Sequence, residues 1–306
     1  MKFTYKGKNI FPDTSVNSCY HTMHSERKAD ELILRLNDTE QNWDTWAPKK
    51  GDDVQVEDGH ATTGKMYLDS VTYQSGLVTL RALSMPQNVK DKHSKSWEDV
   101  KLSQLFTEVA NNHGLTVDKH DVEDHQYKYV QQNNESDFDF LYRRCSQEGL
   151  SFLVFDGKLV VYGEKETESK TPTETLTITP AYRYYYTDDS DSCYKKCEVT
   201  NGSVTGSFEA PTGDENKVLH RVIPHSITDV SEANRIAQNL LREANKNATR
   251  MIVYTDYMAR NVAAGGTVTL KTKGAKSWDG TSFVTDVRHD YVYTRSKIWL
   301  RKPLEY

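Results

Sequence analysis

The hydrophobic period changes twice along this chain, from two residues to about 3.6 and back to two, and that change fixes an order of elements. In Glu31-Leu32-Ile33-Leu34-Arg35-Leu36 the leucines alternate, so Leu32, Leu34 and Leu36 share one face of a strand. Asp52 to Glu57, Gly64 to Tyr73 and Gly76 to Ser84 read as further strands, separated by turn residues at Pro48 to Gly51, Asp58-Gly59 and Gln74-Ser75-Gly76. Short strands at near-regular spacing are expected to close into a small barrel or sandwich. Asn37 to Pro48, with Trp43 and Trp46, reads as a long polar loop.

From residue 88 the period lengthens. Leu102, Leu105, Phe106, Val109 and Ala110 fall on one helix face, and Gly114 stands where a C-terminal cap belongs. A second helix is expected from Asp137 to Glu148, with Ser136 as N-cap, Asp139 three residues on, and a stripe of Phe138, Leu141, Tyr142 and Cys145 closed by Gly149. Ser151 to Phe155, Asp156-Gly157 and Lys158 to Tyr162 read as a hairpin with an Asp-Gly turn.

Beyond residue 163 the strand pattern resumes at Thr175 to Ile178, Cys193 to Thr200, Lys217 to Ile223, Arg250 to Tyr257, Gly266 to Lys271, Ser282 to Val292 and Lys297 to Arg301. One helix interrupts it. Asp229 is placed to cap it, and Val230, Ala233, Ile236, Ala237, Leu240, Leu241 and Ala244 form its stripe. The fold class expected is therefore mainly β with an α+β insert. Its three domains are a β-barrel over 1–87, a small α+β domain over 88–163, and a second β-barrel with an embedded helix over 164–306.

Composition narrows the function classes. Lys and Arg total 39 against 44 Asp and Glu, a net charge of −5. Divided by region, the balance is −2 over 1–87, −4 over 88–163 and +1 over 164–306, so no segment shows the concentrated basic charge of a dedicated nucleic-acid binder. Mean hydropathy is −0.75 and no stretch reaches the roughly 20 apolar residues of a membrane span. Met1 to Thr14 holds no apolar run, so no secretory leader is expected. The 18 tyrosines suit half-buried sheet surfaces and wet interfaces. Of the four cysteines, Cys193 and Cys197 fall within one expected strand, about 13 Å apart and beyond bridging distance. Free thiols are the expectation.

No residue set stands out as catalytic. Cys19-Tyr20-His21-Thr22-Met23-His24 puts Cys19 and His21 on one strand face but His24 on the other, short of a tetrahedral site. Asp121 to Asp124 and Asp188 to Asp191 lack the spacing of a calcium loop and read as solvated. His289 lies beside Asp286 and Asp290 as a possible base, or as an ordinary hydrogen-bonded sheet residue. No nucleophile elbow, zinc helix, phosphate loop or dinucleotide fingerprint is found. No cofactor, no metal and no enzymatic activity are expected.

Three stretches together resemble a known family. The first is Ser96-Trp97-Glu98-Asp99-Val100-Lys101-Leu102 with the helix to Gly114-Leu115. The second runs from Tyr129 through Gln131, Asn134, Glu135, Ser136, Asp137 and Phe138 to Leu141 and Glu148-Gly149-Leu150. The third is Ala264-Gly265-Gly266-Thr267-Val268, Trp278-Asp279-Gly280 and Val287-Arg288-His289. They resemble the phage late-control D proteins, baseplate hub proteins of contractile tails related to the hub part of type VI secretion spike proteins. The resemblance implies two tube-like β-barrels flanking a small α+β domain, with Trp97, Gln131, Asn134, Ser136, Asp137, Phe138, Leu141, Gly149, Gly265, Asp279, Gly280 and His289 as structural motif positions. It implies a homotrimeric ring joining a hexameric tail tube to a trimeric spike, with contacts to other baseplate proteins and a tape measure protein. DNA would pass through without specific binding. Such a chain would be assembled in the bacterial cytoplasm and reside in the baseplate of a virion or injection particle, with no membrane insertion. The fused lysozyme-like insertion and long C-terminal spike helix of some relatives are not seen. The competing classes are a cell-wall hydrolase of the tail tip and a receptor- or sugar-binding adhesin.

Overall fold

A computed structural model of the protein describes residues 1–172, 174–179, 183–224 and 227–306. The first region is built from strands Lys2–Tyr5, Ser15–His24, Glu31–Asn37, Asp53–Asp58, Met66–Gln74 and Leu77–Leu83. The alternation works as expected: Leu32, Leu34 and Leu36 all point into one core. The expected loop over Asn37 to Pro48 instead contains a short helix, α1 (Asn42–Trp46). Trp43 is buried and packs on Phe3 and Tyr5, ring centroids 6.4 and 5.7 Å away. Burying that large ring outweighs the polar character of the flanking sequence.

The middle region contains α2 (Leu102–Asn112) and α3 (Asp137–Glu148), joined to the hairpin Leu150–Phe155 and Lys158–Gly163. Ser136 Oγ accepts the Asp139 N–H at 3.2 Å, and Gly149 closes α3 at φ 69°. Tyr142 lies only half-buried at the edge of the stripe. A pair of strands absent from the sequence reading, Lys92–Lys101 and Gln126–Ser136, flanks α2 as an antiparallel ribbon with an irregularity between Gln132 and Glu135. Thr116–His120 adds a parallel strand beside Lys158–Gly163.

The last region opens with α4 (Glu164–Ser169) and contains two separate cores. Strands Glu174–Ile178, Tyr184–Asp188, Thr249–Thr255, Thr267–Thr272, Gly280–Asp290 and Arg295–Arg301 enclose one. The other lies between α5 (Val230–Asn245) and a three-stranded sheet of Val204–Glu209, Tyr194–Asn201 and Asp214–Val222. Asp229 caps α5, accepting the Glu232 N–H at 2.9 Å. Ala233, Ile236, Ala237 and Leu241 are buried, whereas Val230 and Ala244 at the helix ends are exposed. Gly206 lets helix and sheet approach closely: a Cβ there would stand 2.5 Å from the Ala233 carbonyl carbon.

One pairing organises the whole. Ser15–His24 bonds to Glu31–Asn37 along one edge and to Gly280–Asp290 along the other, with His21 opposite His289 and Asp286 opposite His24. First and last regions therefore share one sheet, which runs from Tyr184–Asp188 to Lys8–Asn9. The molecule is mainly β with a small helical insert. Its β regions are two lobes of a single sheet, each with its own core, and among the described residues the hydrogen-bonded path between its ends stays open.

Candidate functional site

The shared sheet brings together histidines that lie far apart in sequence. Cys19 and His21 face inward as the alternation requires, and His24 faces outward, its Nδ1 2.5 Å from Asp286. His21 is fully buried, and burial, with His289 and His24 adding to it, pushes its pKa down to about 3. His289 is brought down to about 4 by burial and by Arg260, and its Nδ1 lies 2.8 Å from Ser296 Oγ. Buried Asp30 is pushed up to about 7, although the His24 N–H at 2.8 Å works against the rise. Burial thus favours the neutral forms of His21, His289 and Asp30 along the seam.

A second cluster ties the first and last regions together. Lys246, on the residue after α5, places Nζ 2.8 Å from Glu26, 2.7 Å from Glu164 and 2.6 Å from Glu243. Arg301 reaches Glu168 at 2.6 Å and Glu164 at 3.6 Å, and Arg242 reaches Glu168 at 2.9 Å. Arg27 reaches Glu243 at 2.6 Å. Burial would raise the Glu164 carboxyl, but Lys246 and Arg301 bring it down to about 2. Burial would lower Lys246, and Glu164, Glu26 and Glu243 hold it above its ordinary value instead. Glu26, Glu164 and Glu243 form the one group with metal-ligand spacing among the described residues. The Lys246 ammonium already occupies its centre. Every carboxylate of the cluster is matched by a cation, so it fastens the first region to the last. A neighbouring node does the same for α3 and α5, where Glu148 binds Arg235 and accepts from Tyr127 at 2.6 Å.

The motif residues singled out by sequence serve this framework. Trp97 stacks on Phe140 at 5.1 Å and donates from Nε1 to Glu108 at 2.9 Å. The Gln131 carbonyl accepts from Arg143 at 2.9 Å. Asn134 sits in the ribbon irregularity at φ 49°, its N–H donating to Ser94 Oγ at 3.0 Å. Asp137 gathers Gln132, His93 and His113 within 3.1, 3.0 and 3.0 Å. Phe138 lies against Phe152 of the hairpin, centroids 5.6 Å apart, and Leu141 is fully buried. Gly149 touches α5, where a Cβ would meet Asn239 Oδ1 at 2.7 Å. Gly265, at φ 80°, lies under Tyr162, whose hydroxyl donates to the Ser25 carbonyl at 2.9 Å. Asp279 accepts the Thr272 N–H at 2.6 Å ahead of Gly280 at φ 113°. Among these positions Asn134 lies in a bulge, and Gly149 and Gly265 lie at contacts between regions. Missed in the sequence were Lys246, Arg242, Arg301, Glu164 and Glu168. Their only signal is charge at positions that a helix or strand turns inward.

The comparisons with known proteins agree with this architecture. Residues 82–183 match the family model of the phage tail baseplate hub (GPD), so the resemblance read from the motifs holds. No curated protein matches the sequence. Among solved structures, a tail protein from Neisseria meningitidis superposes with a TM-score of 0.77 at 12% identity, covering 98% of this chain and 95% of its own. The prophage MuSo2 43 kDa tail protein from Shewanella oneidensis gives 0.70 at 12% identity, with 99% and 97% covered. An Escherichia coli component of the type VI secretion system, described as similar to T4 bacteriophage tail proteins gp27 and gp5, gives 0.64 at 10% identity, with 100% and 77% covered. At such identities the likenesses establish a common fold.

Proposed function

We propose that this chain, which carries the phage tail baseplate hub signature, is the structural hub of a phage tail or a phage-tail-like contractile particle. The observation that carries the reading is the seam: two β lobes within one chain share one sheet, so three chains supply six lobes. A threefold ring of such chains presents sixfold pseudo-symmetry to a hexameric tail tube and true threefold symmetry to a spike. Other baseplate proteins would surround it, a tape measure protein would enter from above, and DNA would cross the ring. The hub would be assembled in the bacterial cytoplasm and reside in the baseplate. Its work is mechanical, in keeping with charge clusters that are internally neutralised.

Light scattering of the purified chain, alone or with its partner proteins, tests the assembly. Three chains of 35.1 kDa give about 105 kDa. Six identical copies in one ring, or a monomer inside the particle, would overturn the reading. Incubation with peptidoglycan should release no fragments. Lysis that depends on one carboxylate would reassign the chain to the hydrolases.

A further inference from the structure

We infer that the face of the shared sheet turned away from both cores is a docking surface for the phosphate backbone of nucleic acid. Tyr254 and Arg288 are both register partners of Lys297, so the three stand side by side on adjacent strands. Arg183 lies beside Tyr254, whose N–H donates to its carbonyl, and across the seam Tyr20 and Arg35 are set diagonally off this line, Arg288 pairing with Thr22, Tyr20 with Ile33 and Arg35 with Ser18. The guanidinium of Arg288 lies 4.2 Å from the Tyr20 ring centroid and that of Arg183 4.4 Å from Tyr254. Lys297 lies 4.4 Å from Trp299 and 5.1 Å from Tyr254. Most carboxylates on this face are taken: Asp286 by His24, Asp290 by Arg295 and two backbone N–H groups, and Glu31 and Asp69 by Arg81; exposed Asp256 lines the same groove as Arg183 and Lys297. Among the described residues no carboxylate forms an ion pair with Arg183, Arg288, Lys297 or Arg35.

The chemistry favours phosphate over an acidic protein segment. A protein interface is built around desolvated aromatic and apolar anchors. Here the rings are covered by cations and act as supports for charge. The two grooves on this face set Arg35, Arg183, Arg288, Arg295 and Lys297 against two carboxylates, Asp256 and Asp290. From Tyr184–Asp188 to Glu31–Asn37 the row crosses five strand spacings, about 24 Å. That length of duplex presents about fourteen negative charges. The net charge of −5 does not oppose this, because the acidic surplus lies elsewhere. The inference stands on this face alone and does not depend on the hub reading.

The test is fluorescence anisotropy of a short labelled DNA duplex with the full chain, over salt from about 50 to 200 mM. Four phosphate contacts predict a log–log salt slope of about −3 to −4. Arg288→Gln with Lys297→Gln should reduce that slope by about two and weaken binding at least tenfold at low salt. Arg35→Gln, on the other lobe, should reduce it by about one. Lys90→Gln with Lys92→Gln, off the face, should change nothing. Circular dichroism confirms that each variant is folded. Absence of binding at 50 mM salt, or binding unaffected by the face variants, overturns the inference. So does equal or tighter binding of poly-glutamate, which would make the partner an acidic protein segment.

Discussion

His21 shows what strand alternation does to a polar residue. The same period that turns Cys19 inward turns this imidazole inward, and neither ring nitrogen finds a hydrogen-bond partner among the described residues. Its pKa is about 3 in the fold against 6.5 unfolded, so its neutral form favours folding. Stability from this source is complete above about pH 6.5 and falls as pH drops toward 3. His289 adds to the loss as pH falls toward 4. Asp30 works in the opposite sense, since a carboxyl raised from 3.8 to about 7 costs stability as pH rises between those values. Around pH 5 the unfolded chain holds two seam protons on histidine and the native chain one on Asp30, so the net effect of these groups is stability that rises with pH. His21→Leu removes one of those protons and an unbonded buried ring. Urea melts should show the variant gaining more, relative to the wild type, at about pH 5 than at pH 8. An equal effect at both values would rule this out. Phe138, packed on Phe152 and His113, offers a simpler test. Phe138→Ala should cost about 3–5 kcal/mol in the same melts, and a change under 1 kcal/mol would mark it as dispensable to the core.

Among the elements, α5 shows how a helix is seated by both shape and charge. Gly206 admits its backbone, Asn239 donates to the Gln147 carbonyl at 2.9 Å, and Lys246 closes the ion cluster just beyond its end. Lys246→Met keeps the bulk but leaves Glu26, Glu164 and Glu243 facing one another. Removal of one partner from such a buried set should cost about 3–5 kcal/mol, with the Glu164 carboxyl rising from its value near 2. A variant as stable as the wild type would show that water already compensates the cluster. Helices α2, α3 and α5 and the Asp-Gly hairpin were legible in the sequence because their periodicity, caps and turn are local. The ribbon Lys92–Lys101 with Gln126–Ser136 was not. Its first strand is exposed along most of its length, so no apolar alternation announces it. The seam was invisible for a different reason: residues 15–24 and 280–290 pair across nearly the whole chain, and a polar edge carries no mark of its partner. Buried Lys246 was equally hidden, since only the fold brings three carboxylates to it.

For the whole molecule, the question is where the basic face would point in the proposed ring. A channel wall spanning both lobes of each chain needs a surface that crosses the seam, and the coreless face of the shared sheet does so. A passive conduit would have an acidic or neutral lumen, because cations facing phosphate would hold the cargo through counterion release. The row of Arg183, Lys297, Arg288 and Arg35 argues for a wall that makes weak, salt-sensitive contact with what passes. In the proposed ring, repeated around three copies and focused by narrow low-dielectric walls, even weak contacts would add. In a reconstruction of the particle, the side chains of Arg288 and Lys297 from all three copies should point toward the axis, and Lys and Arg should exceed Asp and Glu along the lumen. Release of DNA through the ring should then quicken with salt, and quicken likewise at fixed salt in Arg288→Gln with Lys297→Gln particles. If the row lies on the outer surface or between subunits and the lumen is acidic, the channel is a passive conduit and the basic face serves a contact outside it.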